Sequence, residues 1–282
     1  MTETLAYINQ SLETLYPAGE IQGFTRLIMA HVCGLQPYQL LMSKDKELSD
    51  TQKREICRIV ERLRQWEPVQ YILGEASFYG LSFRVSPEVL IPRPETEELV
   101  ARIIHEHARR KVSILDVGTG SGCIALSLAR HLPDSEVTGL DISAGALRIA
   151  EENARRNRLS ATFVRTDILL AHQAAEAVAG EWDIIVSNPP YVKESEKAEM
   201  ERNVLRYEPP QALFVSDEDP LVFYRAIARL AKKKLKKDGT LYFEINAMLG
   251  KETLGALKEE GYRTSELIRD LSGKDRFIKA KE

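Results

Sequence analysis

The chain has 282 residues, more than one domain usually holds, and its 44% hydrophobic and 29% charged content excludes a disordered or fibrous protein. A formal net charge of -3 argues against a binder that draws its energy mainly from neutralising many phosphates. Cys33, Cys57 and Cys123 are an odd, widely spaced set within helical or loop-to-helix segments, which is neither a disulfide framework nor a paired metal-ligand pattern. They are expected as reduced core residues in a reducing compartment, with no metal. Met1 to Thr4 shows no basic region followed by an apolar run, and no later segment is apolar for the length of a membrane span. The cytoplasm is the expected location, without a membrane partner.

From Glu3 to about Leu73, apolar residues such as Ile56, Ile59, Val60 and Leu63 recur at helical spacing, which predicts a small bundle of four or five helices. Ser49-Asp50 reads as a helix start, while Gly34 and Pro37 punctuate the preceding turns. Lys44, Lys46, Lys53 and Arg54 read as a solvated face rather than a docking surface. Between Ala76 and Pro92 the runs Ser77-Phe78-Tyr79 and Phe83-Arg84-Val85, broken by Gly80 and Pro87, predict a β-hairpin linker. Arg93-Pro94-Glu95-Thr96-Glu97 then precedes an apolar stripe through Leu99, Val100, Ile103 and Ile104, the start of a helix and of a new domain.

From Val112 onward strands alternate with helices, at Val112 to Val117, Val137 to Asp141, Thr162 to Val164, Asp183 to Ser187 and Thr240 to Ile245, which predicts a parallel sheet covered on both faces. Ser272-Gly273, between Tyr262 to Ile268 and Arg276 to Ala280, leaves no room for a crossover helix, so those two strands are expected as antiparallel neighbours. The expected class is α/β. A helical domain spans 1–75, a hairpin linker 76–92, and a Rossmann-like, mostly parallel sheet with its last strand antiparallel 93–282.

Ile114-Leu115-Asp116-Val117 runs into Gly118-Thr119-Gly120-Ser121-Gly122 and then a helix near Cys123. In a parallel α/β sheet this first turn lies at the carboxyl edge where nucleotides bind, and the next strand ends in Asp141, placed to accept from ribose hydroxyls. A glycine turn alone also serves any tight strand-to-helix junction; its pairing with Asp141 carries the signal. Dinucleotide sites space their glycines Gly-x-Gly-x-x-Gly, whereas this loop is Gly-x-Gly-x-Gly behind Asp116, without a phosphate-binding lysine signature. It resembles the loop of methyltransferases that use S-adenosylmethionine. Asp167, beyond the third strand, is placed to accept from an adenine amino group with Ile168 beside the ring, or to cap the helix that follows.

The fourth strand ends in Asn188-Pro189-Pro190-Tyr191 at the same edge. Two prolines cannot continue a ladder, and Pro190 pushes Pro189 toward an extended conformation that turns its carbonyl outward as an acceptor. Asn188 adds a second acceptor through its side-chain oxygen. Two acceptors can hold both hydrogens of one planar NH2 group, and Tyr191 can stack on that plane. The plainer alternative is a turn that closes a strand.

These residues resemble the release factor glutamine methyltransferases. The resemblance covers most of the chain and rests on Pro68 to Gly74, Leu90 to Glu97, Asp116 to Gly122, Asn188 to Tyr191, and Tyr207 to Leu213. It implies methyl transfer from S-adenosylmethionine to the side-chain nitrogen of the glutamine in the Gly-Gly-Gln motif of peptide chain release factors, in support of translation termination. It further implies that Gly118, Thr119, Gly120, Ser121, Gly122, Asp141, Asp167, Ile168 and Asn188 hold the cofactor. Asn188, Pro189, Pro190 and Tyr191 would hold the glutamine, with Arg93 to Glu97 near the methionine end. The chain departs from the family at two positions. Ile168 stands where an aromatic is frequent, and Asn246 where a glycine often follows Glu244-Ile245.

The alternative is a DNA or RNA amino methyltransferase acting on adenine or guanine, since the same turn suits any planar NH2 group. Nucleic acid is not the expected partner, because the helical domain mixes Glu and Lys and carries no recognisable nucleic-acid module. A non-catalytic nucleotide-fold protein would be expected to lose the acceptor pair, which is intact here.

Overall fold

A computed structural model describes residues 1–35, 38–39, 47–108 and 110–282, so Pro37, Lys44 and Lys46 lie outside the described residues. These form two compact units, Met1–Gly74 with Glu201–Tyr207, and Glu75–Met200 with Glu208–Glu282.

The first unit holds α1 (Thr2–Leu12), α2 (Ala18–Cys33), α3 (Asp50–Arg64) and α4 (Val69–Leu73). Ser49 starts α3 through a capping box. Its Oγ accepts from Gln52 N at 3.2 Å while the Gln52 side chain accepts from Ser49 N at 3.0 Å. Ile56, Ile59, Val60 and Leu63 are buried against Ile8, Leu12, Ile28 and Met29. Each such side chain contributes about 1.5–3 kcal/mol relative to exposure. Tyr16 donates to the Leu63 carbonyl at 2.7 Å, and Tyr207 to the Gln65 carbonyl at 2.9 Å. Cys57 is exposed on α3 rather than in the core, because its position faces away from the Ile56–Val60 stripe.

The second unit begins with the hairpin β1 (Glu75–Phe78) and β2 (Leu81–Arg84). The hairpin expected within 76–92 packs with this unit. Phe78 and Phe83 are buried in the same core as Ile114 and Val186, and Asn153 bonds both the amide and carbonyl of Arg84. Helix α5 (Pro94–His107) starts with Pro94 in its first turn and Glu95 and Glu97 near its positive end, as the sequence pattern demands.

Then follow β3 (Ser113–Val117), α6 (Cys123–His131), β4 (Glu136–Asp141), α7 (Ala144–Asn157), β5 (Thr162–Arg165), α8 (Ala171–Ala177), β6 (Trp182–Ser187) and β7 (Val192–Lys193). After α9 (Arg202–Tyr207), which belongs to the first unit, come β8 (Phe214–Val215), α10 (Val222–Lys234), β9 (Leu235–Glu244), α11 (Gly250–Glu259), β10 (Thr264–Arg269) and β11 (Asp275–Lys281). The main sheet has seven strands in the order β10-β11-β9-β6-β3-β4-β5. Only β11 runs opposite to the other six strands.

Alternation sends Ile114, Ile184, Val186 and Tyr242 to one face and Leu115, Ile185, Leu241 and Phe243 to the other. The chain winds outward through β4 and β5, then returns to place β6 beside β3. That reversal is the switch point at which open α/β sheets bind ligands. Val117 stands opposite both Leu140 and Ser187, so the loops after β3, β4 and β6 share one carboxyl edge. No helix of the described residues is long and apolar enough to cross a membrane.

Candidate active site

A cavity of about 270 Å³ opens at this edge, close to the lower end of the roughly 300–1,000 Å³ of ligand pockets. Its wall includes Gly118, Thr119, Gly120, Ser121, Asp141, Asp167 and Ile168 on one side and Asn188, Pro189 and Pro190 on the other. Gly118 and Gly120 have φ of +76° and +55°, and a Cβ at either would meet nothing within 4 Å. The loop therefore presents bare backbone to open space, with a conformation that a side chain would strain. Gly122 is not in the wall. A Cβ there would lie 3.2 Å from the Ala150 side chain, so its glycine serves the packing of α6 on α7.

Two carboxylates shape the loop. Asp141 accepts from Gly120 N and Ser143 N, both at 2.9 Å, and burial raises its pKa against the pull of those amides. Asp116 is fully buried and accepts on Oδ2 from Thr119 Oγ1 at 2.7 Å and Ala125 N at 3.2 Å, while Oδ1 has no partner among the described residues. Burial pushes its pKa up to about 7. Cys123, also in the wall, is pushed up to about 12 by burial and stays a neutral thiol. Asp167 accepts from Leu169 N at 2.9 Å, a local turn rather than the cap of α8, whose cap position is Leu170.

On the acceptor side, Ser187 donates to the Val117 carbonyl at 2.6 Å and ties the end of β6 to β3. The Asn188 side-chain NH2 donates to Thr96 Oγ1 at 3.3 Å, and Thr96 donates to Glu244 Oε2 at 2.6 Å. Tyr191 is not in the cavity wall. Its hydroxyl donates to Glu244 Oε1 at 3.1 Å and its ring packs against the core, so the expected stacking surface is turned inward in this structure. Burial raises the pKa of Glu244, and burial followed by the Glu244 charge raises that of Tyr191.

In the sequence Thr96 falls within the Arg93–Glu97 stretch expected near the methionine end and Glu208 within the Tyr207–Leu213 motif, with no separate role for either side chain. Glu208 is buried, and accepts from Ile91 N at 3.1 Å and Arg93 Nη2 at 2.6 Å, which joins the Leu90–Glu97 and Tyr207–Leu213 motifs. Their shared proline-rich, charged character was the available signal. Asn246, the departure from the family, donates to the Tyr191 carbonyl at 3.1 Å and to Glu196 Oε2 at 3.1 Å, and accepts from Met248 N at 2.9 Å.

Residues 95–206 match the family described as Methyltransferase small domain, and residues 3–74 that described as PrmC N-terminal domain. Two solved structures share the fold. A methyltransferase from Pyrococcus furiosus has a TM-score of 0.50 at 16% identity, with 83% of this chain and 99% of that one covered. The 16S rRNA N2 G1207 methyltransferase of Thermus thermophilus, in complex with AdoMet and guanosine, has a TM-score of 0.53 at 19% identity, covering 74% of this chain and 49% of that one.

A doubly wound sheet with a glycine loop and a strand-end acid on one side of its switch point and an Asn-Pro-Pro-Tyr turn on the other, in a chain with these matches, is a methyltransferase. The chain is 48% identical to the release factor glutamine methyltransferase of Bacteroides thetaiotaomicron over 99% of both chains, and 45% identical to that of Flavobacterium psychrophilum over 96% of this chain and 95% of that one. It belongs to the release factor glutamine methyltransferase family.

Proposed function

We propose that the chain transfers a methyl group from S-adenosylmethionine to the side-chain amide nitrogen of the Gly-Gly-Gln glutamine of peptide chain release factors. The carrying observation is that the Asn188-Pro189 turn shares one cavity with the glycine loop and Asp141. The residues suit the cofactor. Gly118 and Gly120 leave room for close backbone approach, Asp141 is a carboxylate for ribose hydroxyls, and Asp167 and Ile168 stand where adenine needs an acceptor and an apolar neighbour. The buried Asp116 Oδ1, without a partner among the described residues, adds a polar atom beneath the loop.

S-adenosylmethionine supplies an electrophilic methyl on a sulfonium; the chain's own work falls on the acceptor. An amide lone pair is delocalised into the carbonyl, so the nitrogen attacks poorly until its hydrogens are held. Asn188 Oδ1 and the Pro189 carbonyl accept those two hydrogens, aim the nitrogen, and oppose the positive charge that develops on it. No base acts beforehand, because the alkylated amide nitrogen is acidic and releases its proton afterwards. In this reading residues 1–75 recognise the release factor, and the reaction takes place in the cytoplasm, where translation runs.

Incubation with labelled S-adenosylmethionine tests the proposal. Release factor should take one methyl on the Gly-Gly-Gln glutamine, and its Gln-to-Ala version, DNA and RNA should stay unlabelled. Faster labelling of nucleic acid would replace this reading with an amino methyltransferase acting on bases.

A further inference from the structure

Asn188 is useful to an acceptor NH2 only with its oxygen toward the cavity, yet its side-chain amide has two ends of nearly the same shape. What distinguishes the ends is the polarity of the hydrogen bonds around them. Thr96, on α5, is 2% exposed, and Glu244, at the end of β9, is 1% exposed. Neither exchanges its partners for bulk water.

The polarity runs in one direction. Glu244 receives Thr96 Oγ1 at 2.6 Å on one oxygen and the Tyr191 hydroxyl at 3.1 Å on the other, so a carboxylate there has both oxygens engaged as acceptors. Thr96 owns a single hydroxyl proton. Once that proton is committed to Glu244 in a short, charge-assisted bond, Thr96 has only lone pairs left to offer. The group facing it at 3.3 Å must then be the Asn188 NH2, and Oδ1 takes the opposite end of the amide. Were Glu244 removed, Thr96 could give its proton to Asn188 Oδ1. The amide would turn over, and the cavity would meet an NH2 that repels the NH2 of the acceptor.

We infer that Thr96 and Glu244 are positioning residues which set the orientation of the Asn188 amide, and through it the alignment of the nitrogen to be methylated. This inference rests on the reading that Asn188 holds the acceptor amide. Glu244 lies outside the cavity wall; Thr96 is part of it, with its hydroxyl bonded between Asn188 and Glu244. Their effect on the acceptor passes through the Asn188 amide, so it falls on the rate of the chemical step more than on cofactor binding.

The experiment compares Thr96→Val, which keeps the shape and removes both bonds, with Thr96→Ser, which keeps the hydroxyl. Single-turnover rates on release factor at saturating cofactor, cofactor affinity by calorimetry, and hydrogen exchange of the Asn188 side-chain amide without substrate are read together. Thr96→Val should slow transfer about ten- to a hundredfold while cofactor affinity stays within about threefold, and Thr96→Ser should recover most of the rate. One Asn188 amide proton should exchange slowly in wild type and Thr96→Ser and fast in Thr96→Val. Glu244→Ala should slow transfer similarly, and the double variant should be no slower than the worse single one, since both cut one chain of bonds.

A Thr96→Val enzyme with the wild-type rate and a protected Asn188 amide would overturn the inference, and fully additive losses in the double variant would remove Glu244 from it. If Glu244→Ala does not bind cofactor as a folded protein, the two Thr96 variants still decide. A wild-type enzyme inactive on release factor would sink the proposed function, not this inference, because amide exchange reports the Asn188 orientation without any acceptor.

Discussion

The glycine loop after β3 and the Asn188 turn after β6 meet at one edge of one sheet, yet they are held by opposite means. The loop is braced from nearby in the chain: Thr119 bonds Asp116 three residues away, and Gly120 bonds Asp141 twenty-one residues away. The turn is braced from far off. Asn188 reaches Thr96 across 92 positions, Thr96 reaches Glu244 across 148, and Tyr191 reaches Glu244 across 53. Local bracing gives the cofactor side a shape that forms with one βαβ unit. The acceptor side exists only when α5, β6 and β9 are assembled.

The largest effect expected from breaking the local brace is on stability. Asp116 is pushed from 3.8 to about 7, so its contribution is fully present below pH 4 and is lost as pH rises toward and through 7. Asp116→Asn removes this loss, and the unliganded variant should gain on wild type with rising pH, by up to an order of 4 kcal/mol between pH 4 and pH 8. Urea denaturation at stepped pH measures it; a difference that does not grow with pH would show that Asp116 is not held neutral.

Next in size, Asn188→Ala should cut the single-turnover rate roughly a hundredfold or more with cofactor affinity within a few fold. Asn188→Asp, which still accepts but adds a charge, should fall between. An alanine enzyme as fast as wild type would end the distinction between a binding side and an orienting side. Asp141→Ala should do the converse, weakening cofactor binding about ten- to a hundredfold, the worth of one charge-assisted bond. Calorimetry with unchanged affinity would take Asp141 out of the site.

The smallest effect belongs to the outer tie of the acceptor side. Asn246→Ala strips partners from the Tyr191 carbonyl and Glu196 and should cost roughly 1–2 kcal/mol of stability in the same urea titration. No change would mean the tie is made by water equally well.

The same contrast sets what could be read in advance. Glycine spacing, the acid at Asp141 and the period-2 strands are short-range patterns, and they located the cavity, the sheet and the reversed last strand. Thr96 and Glu244 sit 148 positions apart in two unrelated elements, and no local rule pairs them. Tyr191 looked like a stacking surface because its neighbours pointed to the cavity. Only the buried carboxylate behind it explains why its ring turns inward. The sequence shows β9 only from Thr240 rather than from Leu235 because Lys236 to Gly239 carry no apolar alternation, although the backbone is extended there. The pairing of β7 with β8 joins two dipeptides too short to show any period.

Glu201–Tyr207 belongs to the first unit but is made long after the rest of it. The ribosome delivers Met1–Gly74 early, but the helix that completes this unit, with its Tyr207 hydroxyl on the Gln65 carbonyl, emerges only after β3 to β6 have been made. At about 5–20 residues per second the wait is on the order of ten seconds. The nascent helical unit therefore spends that interval without its last piece, and a fragment cut at Gly74 would never receive it.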